Sequence, residues 1–272
     1  MPRLSPHPGI GATTIGDIRV AYNVAGDGLR AILIHGLAQD HTMWASQQGD
    51  LCEFTTLAYD LRGHGDTTLG RAEGTLAQLG RDLIELLEQL GPSACVGFSL
   101  GGAVALWAAS ERPDLVERVV VIATSSVVGS NAVVDLTRRI SLVEAEGADA
   151  IRDMLSRDTA AQLSDGFADV GGVIAERLHA ARNPGGYLNG LRAMRGMQDR
   201  SLHRRLVYVR SRVVVVGAEC DEICPPRAAE LLLEGLPDAR FAQIPGARHL
   251  ASYTATATIT RLIRSGLETS PR

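Results

Sequence analysis

The chain of 272 residues is long enough to bury one large core, and 45% of its residues are hydrophobic and 21% charged, as in ordinary globular proteins. Its net charge of −4 gives no reason to expect binding to nucleic acid or to an anionic membrane surface. All 27 basic side chains are arginines, so the lack of lysine excludes Schiff-base chemistry and a catalytic lysine.

Four cysteines are too few for a disulfide scaffold in a chain of this size. Cys220 and Cys224 could join His249 in a metal site, but zinc usually needs a second close-set pair and the sequence has none, so we expect neither a metal nor an organic cofactor. Residues 1–6 lack the apolar core of a signal peptide, and no apolar stretch approaches the roughly 20 residues that cross a bilayer. We expect a cytoplasmic protein without a membrane partner.

In chain order, residues 13–24 resemble a hairpin with a turn at Gly16-Asp17. Short β-branched runs that end in glycine-rich or polar turns then predict strands at 31–35, 55–60, 94–98, 116–124, 212–217 and 240–245. Leucines at helical spacing predict a helix over 76–90, and further helices should follow Ser99 and begin at Pro225-Pro226. Nearly continuous apolar strands that alternate with helices predict an α/β fold, with a mostly parallel sheet covered on both faces.

This alternation stops between about residues 126 and 205. The segment has only helical patterns, near 133–146, 148–157, 173–181 and 187–197, and it is too long to be a loop. We therefore expect a helical cap at 126–205, inserted into a core formed by residues 1–125 and 206–272.

The turn Gly97-Phe98-Ser99-Leu100-Gly101 follows a predicted strand and precedes a predicted helix. Small residues at this spacing allow a tight strand-to-helix turn that projects the serine hydroxyl above the sheet edge. With 29 glycines in the chain the pattern alone is weak, since chance would produce it on the order of once in several such chains. Its position between strand and helix makes it specific, and we predict Ser99 to be a nucleophile.

A serine nucleophile needs an adjacent base, which in turn needs an orienting acid. After a turn of this kind the usual chain order is serine, acid, histidine. His179 and His203 fall in the predicted cap, whereas His249 follows the last predicted strand. We therefore predict His249 to be the base.

The acid should follow a strand at the same edge of the sheet. The strand at 212–217 leads into Glu219, Asp221 and Glu222, while residues 124–126, after another strand, offer no carboxylate. We favour Asp221 for its place in the turn before Pro225-Pro226, and both glutamates remain alternatives.

Acyl transfer also needs donors for the developing oxyanion. The backbone N–H of Leu100, next to the nucleophile, is one candidate, and Leu37 in the loop His35-Gly36-Leu37-Ala38 is the other. We expect His35 to support this loop and not to handle protons.

These motifs, together with Asp60-Leu61-Arg62-Gly63-His64-Gly65 and Ala247-x-His249, resemble the α/β-hydrolase superfamily over about residues 15–265. The resemblance implies the α/β-hydrolase fold with an inserted helical cap. Within the superfamily the chain is similar to 3-oxoadipate enol-lactonases and small-ester esterases, in Met43-Trp44, Trp107, residues 124–129, Tyr187 and Asp221-x-x-x-Pro225-Pro226.

The sequence departs from the family pattern twice. Thr67 stands where a serine commonly follows the Arg-Gly-His-Gly turn, and residues 250–255 replace the usual acidic residue and proline after His249. The second departure leaves the subfamily open.

For substrate contacts the candidates are Trp44, Tyr187, Arg192 and Arg195. A guanidinium at position 192 or 195 could bind a substrate carboxylate with two hydrogen bonds, although a solvated helix face is the alternative.

We expect hydrolysis of a small, carboxylate-bearing ester or lactone through a covalent acyl-enzyme. The alternatives are a C–C bond hydrolase, a secondary-metabolism acyl hydrolase or cyclase, and a non-catalytic ligand receptor, because this fold serves many functions. The expected partner is a small molecule, and a homodimer is compatible with the sequence.

Overall fold

An eight-stranded sheet lies at the centre of the computed structural model, which describes residues 7–268. In chain order the strands are β1 (Gly9–Ile15), β2 (Ile18–Ala25), β3 (Leu29–Ile34), β4 (Phe54–Tyr59), β5 (Ser93–Phe98), β6 (Val116–Ile122), β7 (Arg212–Ala218) and β8 (Ala239–Ile244). They lie side by side in the order β1-β2-β4-β3-β5-β6-β7-β8. The pairs β1–β2 and β2–β4 are antiparallel, and every other neighbouring pair is parallel. The predicted α/β fold with its initial hairpin is confirmed.

The predicted helices occur in the predicted order. The helices are α1 (Ala45–Asp50), α2 (Leu76–Leu90), α3 (Leu100–Glu111), α4 (Ser130–Glu146), α5 (Ala148–Gln162), α6 (Val170–Ala180), α7 (Pro184–Gly196), α8 (Pro226–Gly235), α9 (Ala251–Thr254) and α10 (Thr256–Leu267), with two 3₁₀ segments at His41–Trp44 and His203–Tyr208. Three of them, α1, α9 and α10, are additional to the helices predicted from the sequence. None of the helices within residues 7–268 is long and apolar enough to cross a membrane. Residues 1–6, from which we argued against a signal peptide, lie outside the described part.

Both faces of the sheet are covered. Successive residues of a strand point to opposite faces, so Cys95 packs with α2 and α3 on one side and Val96 packs with α10 on the other. The strands in the middle of the sheet therefore contain runs of consecutive apolar, buried residues, such as 119–122 in β6 and 213–216 in β7.

Helices α4–α7 lie between β6 and β7, and we call residues 130–196 the helical insertion. A small core of their own holds them together, with Ile151, Met154 and Leu191 fully buried in it. The boundaries of a separate cap at 126 and 205 stay a prediction, but the helical insertion is placed over the carboxyl ends of β5, β6 and β7, where parallel sheets usually bind ligands.

Candidate active site

Ser99 occupies a strained turn between β5 and α3. Its φ of 51° and ψ of −116° are rare for a residue with a side chain, and such strain concentrates at functional sites. A Cβ on Gly97 would lie 2.4 Å from the carbonyl oxygen of Gly101, and one on Gly101 would lie 2.2 Å from the carbonyl oxygen of Ile34. Only glycine therefore fits at either position, which is why the serine needs these two neighbours.

Three side chains from separate loops meet at this turn. Nε2 of His249, in the loop after β8, lies 3.1 Å from Oγ of Ser99. Nδ1 of the same ring lies 2.8 Å from Oδ2 of Asp221, in the loop after β7. Since a carboxylate accepts, Nδ1 carries the proton and Nε2 presents its lone pair to the serine hydroxyl. The structure thus brings Ser99, His249 and Asp221 into one hydrogen-bonded line.

The other carboxylates of the β7 loop do not reach His249. Glu219 is exposed and accepts a hydrogen bond from the Gly246 amide at 2.7 Å, and Glu222 lies at the edge of the cavity described below. Asp221 is only 2% exposed. The structure therefore favours Asp221 over both glutamate alternatives as the partner of His249.

The loop after β3 lies beside the serine. A Cβ built on Gly36 would come within 3.3 Å of Cβ of Ser99, and the Gly36 amide is tied to Oε1 of Gln39 at 3.1 Å. Within residues 7–268, the amides of Leu37 and Leu100 donate to no protein acceptor. Both are therefore available to a ligand next to Ser99.

His35 supports this loop from below. Its Nδ1 donates to the Gly36 carbonyl at 2.7 Å, and its Nε2 accepts the Leu61 amide at 2.8 Å. These partners fix a neutral ring, and burial lowers the pKa of His35. A ring so engaged has no proton to exchange with a substrate, as the sequence led us to expect.

A cavity of about 830 Å³ opens above Ser99. This size is within the roughly 300–1,000 Å³ typical of small-molecule sites. Ser99, Leu37, Leu100 and His249 form its floor, and the helical insertion forms its roof with apolar side chains that include Leu136, Leu155, Leu191 and Met194.

Of the four predicted substrate contacts, only Tyr187 lines this cavity. Trp44 is fully buried in the core on the α10 side of the sheet. Arg192 and Arg195 of α7 form ion pairs with Glu144 at 2.7 Å and with Asp199 at 2.8 Å, and their side chains are 43% and 40% exposed. We therefore correct the expectation for Trp44, Arg192 and Arg195, since none of them faces the cavity.

The sequence analysis missed two arginines that line the cavity. Arg139 of α4 lies 2.5 Å from Asp135 and 2.6 Å from Asp158, and Arg177 of α6 lies nearby. A signal existed for both arginines. Arg139 is three residues after the buried Leu136, and Arg177 is four residues after the buried Val173, so each sits on the apolar face of its helix.

Among residues 7–268, two groups of side chains have the composition of metal ligands. Asp221, Cys224 and His249 bring ligand atoms within 4.8 Å of one another, but burial raises the pKa of the Cys224 thiol and so disfavours the thiolate that binds metals. In the second group, His41 Nδ1 lies 2.7 Å from Oδ1 of Asp60, so these two residues already satisfy each other. Cys220, which we considered as a ligand, is in neither group.

Known proteins resemble the chain along most of its length. The sequence model of a family described as "Alpha/beta hydrolase family" matches residues 31–260. A pimeloyl-[acyl-carrier protein] methyl ester esterase of Nitrosospira multiformis is 26% identical over 87% of this chain and 93% of its own. The crystal structure of the enol-lactonase of Burkholderia xenovorans superimposes with a TM-score of 0.84 at 21% identity, covering 94% of this chain and 99% of that one.

A further relative matches only in part. An uncharacterized protein of Mycobacterium tuberculosis is 36% identical over 118 residues, which make up 42% of this chain and 34% of that protein. The chain thus spans about a third of that relative's length. The match over residues 31–260, with the sheet order and the serine turn, shows that the chain belongs to the α/β-hydrolase family.

Proposed function

We propose that the protein is a serine hydrolase that cleaves a small ester or lactone through a covalent acyl-enzyme on Ser99. The observation that carries the proposal is the line of hydrogen bonds from Ser99 Oγ to His249 Nε2, 3.1 Å, and from His249 Nδ1 to Asp221 Oδ2, 2.8 Å. A serine hydroxyl becomes a useful nucleophile only beside a base of this kind.

In the first half-reaction Ser99 Oγ attacks the substrate carbonyl and its proton passes to His249 Nε2. Asp221 stabilises the imidazolium that forms. The oxyanion accepts hydrogen bonds from the Leu37 and Leu100 amides, which have no competing acceptor within residues 7–268. Collapse of this intermediate breaks the carbon–oxygen bond, and the leaving oxygen takes the proton from His249.

In the second half-reaction water replaces the leaving group. His249 Nε2 takes a proton from the water while the water oxygen attacks the acyl carbon on Ser99. The second oxyanion uses the same two amides, and its collapse returns the proton to Ser99 and releases a carboxylic acid. For a lactone the leaving oxygen stays attached to the acyl group, so a single hydroxy acid is the product.

The cavity supports a substrate that is small and mostly apolar but carries a polar group. Its roof is aliphatic and sulfur-containing, whereas Arg139 and Arg177 line it among carboxylates and amides. Two similar proteins that the chain covers well are named a methyl ester esterase and an enol-lactonase, and both names describe hydrolysis of an ester bond. A carboxylate on the substrate agrees with the cationic side chains in the cavity wall.

The test is a panel of p-nitrophenyl esters, alkyl esters, enol-lactones and vinylogous diketones, with the Ser99→Ala variant as control. We expect wild-type enzyme to hydrolyse members of the ester and lactone classes and Ser99→Ala to lose this activity. Faster cleavage of the diketones than of the lactones would favour a C–C hydrolase instead. No turnover on the whole panel, with tight binding of some members, would favour a ligand receptor.

A further inference from the structure

Arg177 is a buried arginine in the wall of the active-site cavity. It lies in the last turn of α6, on the face of the helix that also buries Val173 and Ala180, and it is 6% exposed. A guanidinium stays charged in proteins, so this position places a positive charge almost out of contact with water. Burying an uncompensated charge is strongly unfavourable.

The part of the chain that the structure describes supplies no carboxylate partner for this charge. Nη1 of Arg177 donates to the hydroxyl of Thr159 at 2.8 Å and to Oε1 of Gln162 at 3.4 Å, and both acceptors are neutral. Nε has no acceptor and is fully buried. None of the ion pairs among residues 7–268 includes Arg177, although other buried arginines such as Arg62 bind carboxylates.

Two carboxylates of the cavity wall, those of Asp135 and Asp158, are already engaged. Asp158 lies 2.6 Å from Nη2 of Arg139, which also binds Asp135. Two carboxylates thus share one arginine, while Arg177 keeps N–H groups without acceptors. This distribution leaves a place for an anion from outside the protein.

The surroundings of Arg177 are fixed to the loop that carries His249. The amide of Leu250 donates to the Gln162 carbonyl at 2.8 Å, and Arg248 donates to the Ala161 carbonyl at 3.2 Å. Gln162 therefore contacts both Arg177 and the residue after His249. Because Arg177 and Ser99 line the same cavity, an anion bound at Arg177 can position a carbonyl at Ser99.

We propose that Arg177 is the carboxylate-binding residue of the site, which selects esters or lactones that carry a free carboxylate and positions their carbonyl at Ser99. The inference rests on the proposed function, to which it adds the residue that recognises the substrate carboxylate. Nη2 of Arg177 donates to no acceptor among residues 7–268 and, unlike Nε, is not fully buried, so it is the donor left for a carboxylate, and a hydrogen bond from a guanidinium to a carboxylate is among the strong ones.

The test compares two esters of equal chain length, p-nitrophenyl hydrogen glutarate with a free carboxylate and p-nitrophenyl pentanoate without one. We expect wild-type enzyme to prefer the glutarate ester, and Arg177→Gln to lower kcat/KM for it by roughly 30-fold or more, as expected for one lost partner of a buried charge pair. The same variant should hydrolyse the pentanoate ester within about threefold of wild type. Arg177→Lys, which keeps the charge, should restore part of the preference.

Arg152→Gln is the matched control, since Arg152 lies exposed on α5 in an ion pair with Asp149. This variant should leave kcat/KM unchanged for both esters. If Arg177 serves only to join α5 to α6, Arg177→Gln will lower kcat/KM for both esters by the same factor, and the proposal is overturned. Wild-type enzyme without any preference for the glutarate ester would also overturn it.

A binding measurement separates this proposal from the proposed function. Glutarate is titrated calorimetrically into wild-type, Arg177→Gln and Arg152→Gln proteins, which requires no turnover. We expect glutarate to bind wild type and Arg152→Gln alike and to bind Arg177→Gln at least about tenfold more weakly. Equal affinity for all three proteins, or no binding to any, would overturn the role of Arg177 even where Ser99 is shown to be the nucleophile.

Discussion

Asp221 holds His249 with one carboxylate oxygen and its own turn with the other. Oδ2 lies 2.8 Å from His249 Nδ1, and Oδ1 accepts the amides of Ile223 and Cys224, both at 2.8 Å. The two amides fix the rotation of the carboxylate, so the oxygen that faces His249 is always an acceptor. The ring is therefore held with its proton on Nδ1 and its lone pair toward Ser99.

This arrangement predicts a specific effect of Asp221→Asn. The asparagine oxygen will take the place of Oδ1 facing the two amides, and its NH₂ group will face His249. Nδ1 must then accept, which moves the ring proton to Nε2 and removes the base from Ser99. We expect kcat to fall by roughly 10⁴-fold with little change in KM.

Glu219→Gln is the control for this change, because the glutamine oxygen can still accept the Gly246 amide. It should keep kcat within about twofold of wild type. If kcat fell as far in Glu219→Gln as in Asp221→Asn, the assignment of Asp221 as the acid would be contradicted.

The serine turn predicts that Gly101→Ala destabilises the fold. The new methyl group would lie 2.2 Å from the carbonyl oxygen of Ile34, which is backbone and cannot move aside as a flexible side chain could. We expect urea unfolding to show a loss of about 1–3 kcal/mol or more, and activity to fall with it. Gly171→Ala in α6, where the methyl group meets no atom within 4 Å, should leave stability unchanged or raise it slightly.

From the burial of His64 we predict that the free energy of unfolding falls at acidic pH. The ring is buried beside His35, at a centroid distance of 5.3 Å, and burial lowers the pKa of His64 to about 3. Between its ordinary value of 6.5 and about 3, the unfolded chain takes up a proton that the folded chain refuses, so stability falls as pH drops through this range.

The urea midpoint of wild type should therefore decrease from pH 7.5 to pH 5, and that of His64→Gln should decrease less. His41 works in the opposite direction, since its hydrogen bond to Asp60 raises the pKa of His41 and adds stability that is lost as pH rises. An equal decrease in wild type and His64→Gln would show that His64 does not contribute.

From the contacts of Arg62 we predict that its substitution strongly lowers the free energy of unfolding. Its side chain is 4% exposed and forms two hydrogen bonds to the buried Asp82, at 2.8 Å and 2.7 Å, and one to Asp17. Arg62→Leu leaves Asp82 buried without a partner, which we expect to lower the free energy of unfolding by about 3–5 kcal/mol. The double variant Arg62→Leu/Asp82→Leu should lose less than Arg62→Leu alone, and a double-variant cycle by urea denaturation checks this.

Periodicity and chain order were sufficient to predict the fold and the three residues that meet at Ser99. Residues 119–122, the last four of β6, are apolar and buried because both faces of the sheet are covered, and the close backbone contacts of the serine turn require its two glycines. His249 could be found by elimination, since of the histidines after Ser99 it alone follows the last strand.

The cavity wall could not be predicted in the same way. The segment 126–205 contains many arginines, and which of them faces inward depends on how its helices pack onto the core. Arg192 was a plausible choice because it neighbours Tyr187 on one helix, but it lies on the opposite side of α7 and pairs with Glu144. Trp44 closely follows the loop of Leu37 in the sequence, but its side chain is buried in the core on the α10 side of the sheet.

The most direct test of the account is the reaction of the protein with a fluorophosphonate, followed by intact-mass and peptide mass spectrometry. Wild-type protein should gain one phosphonyl group, located on Ser99 by the peptide map. Ser99→Ala should gain none, and His249→Ala should react far more slowly, because His249 is the group that takes the serine proton. Labelling that persists unchanged in Ser99→Ala, or that is absent from wild type, would contradict Ser99 as the activated nucleophile.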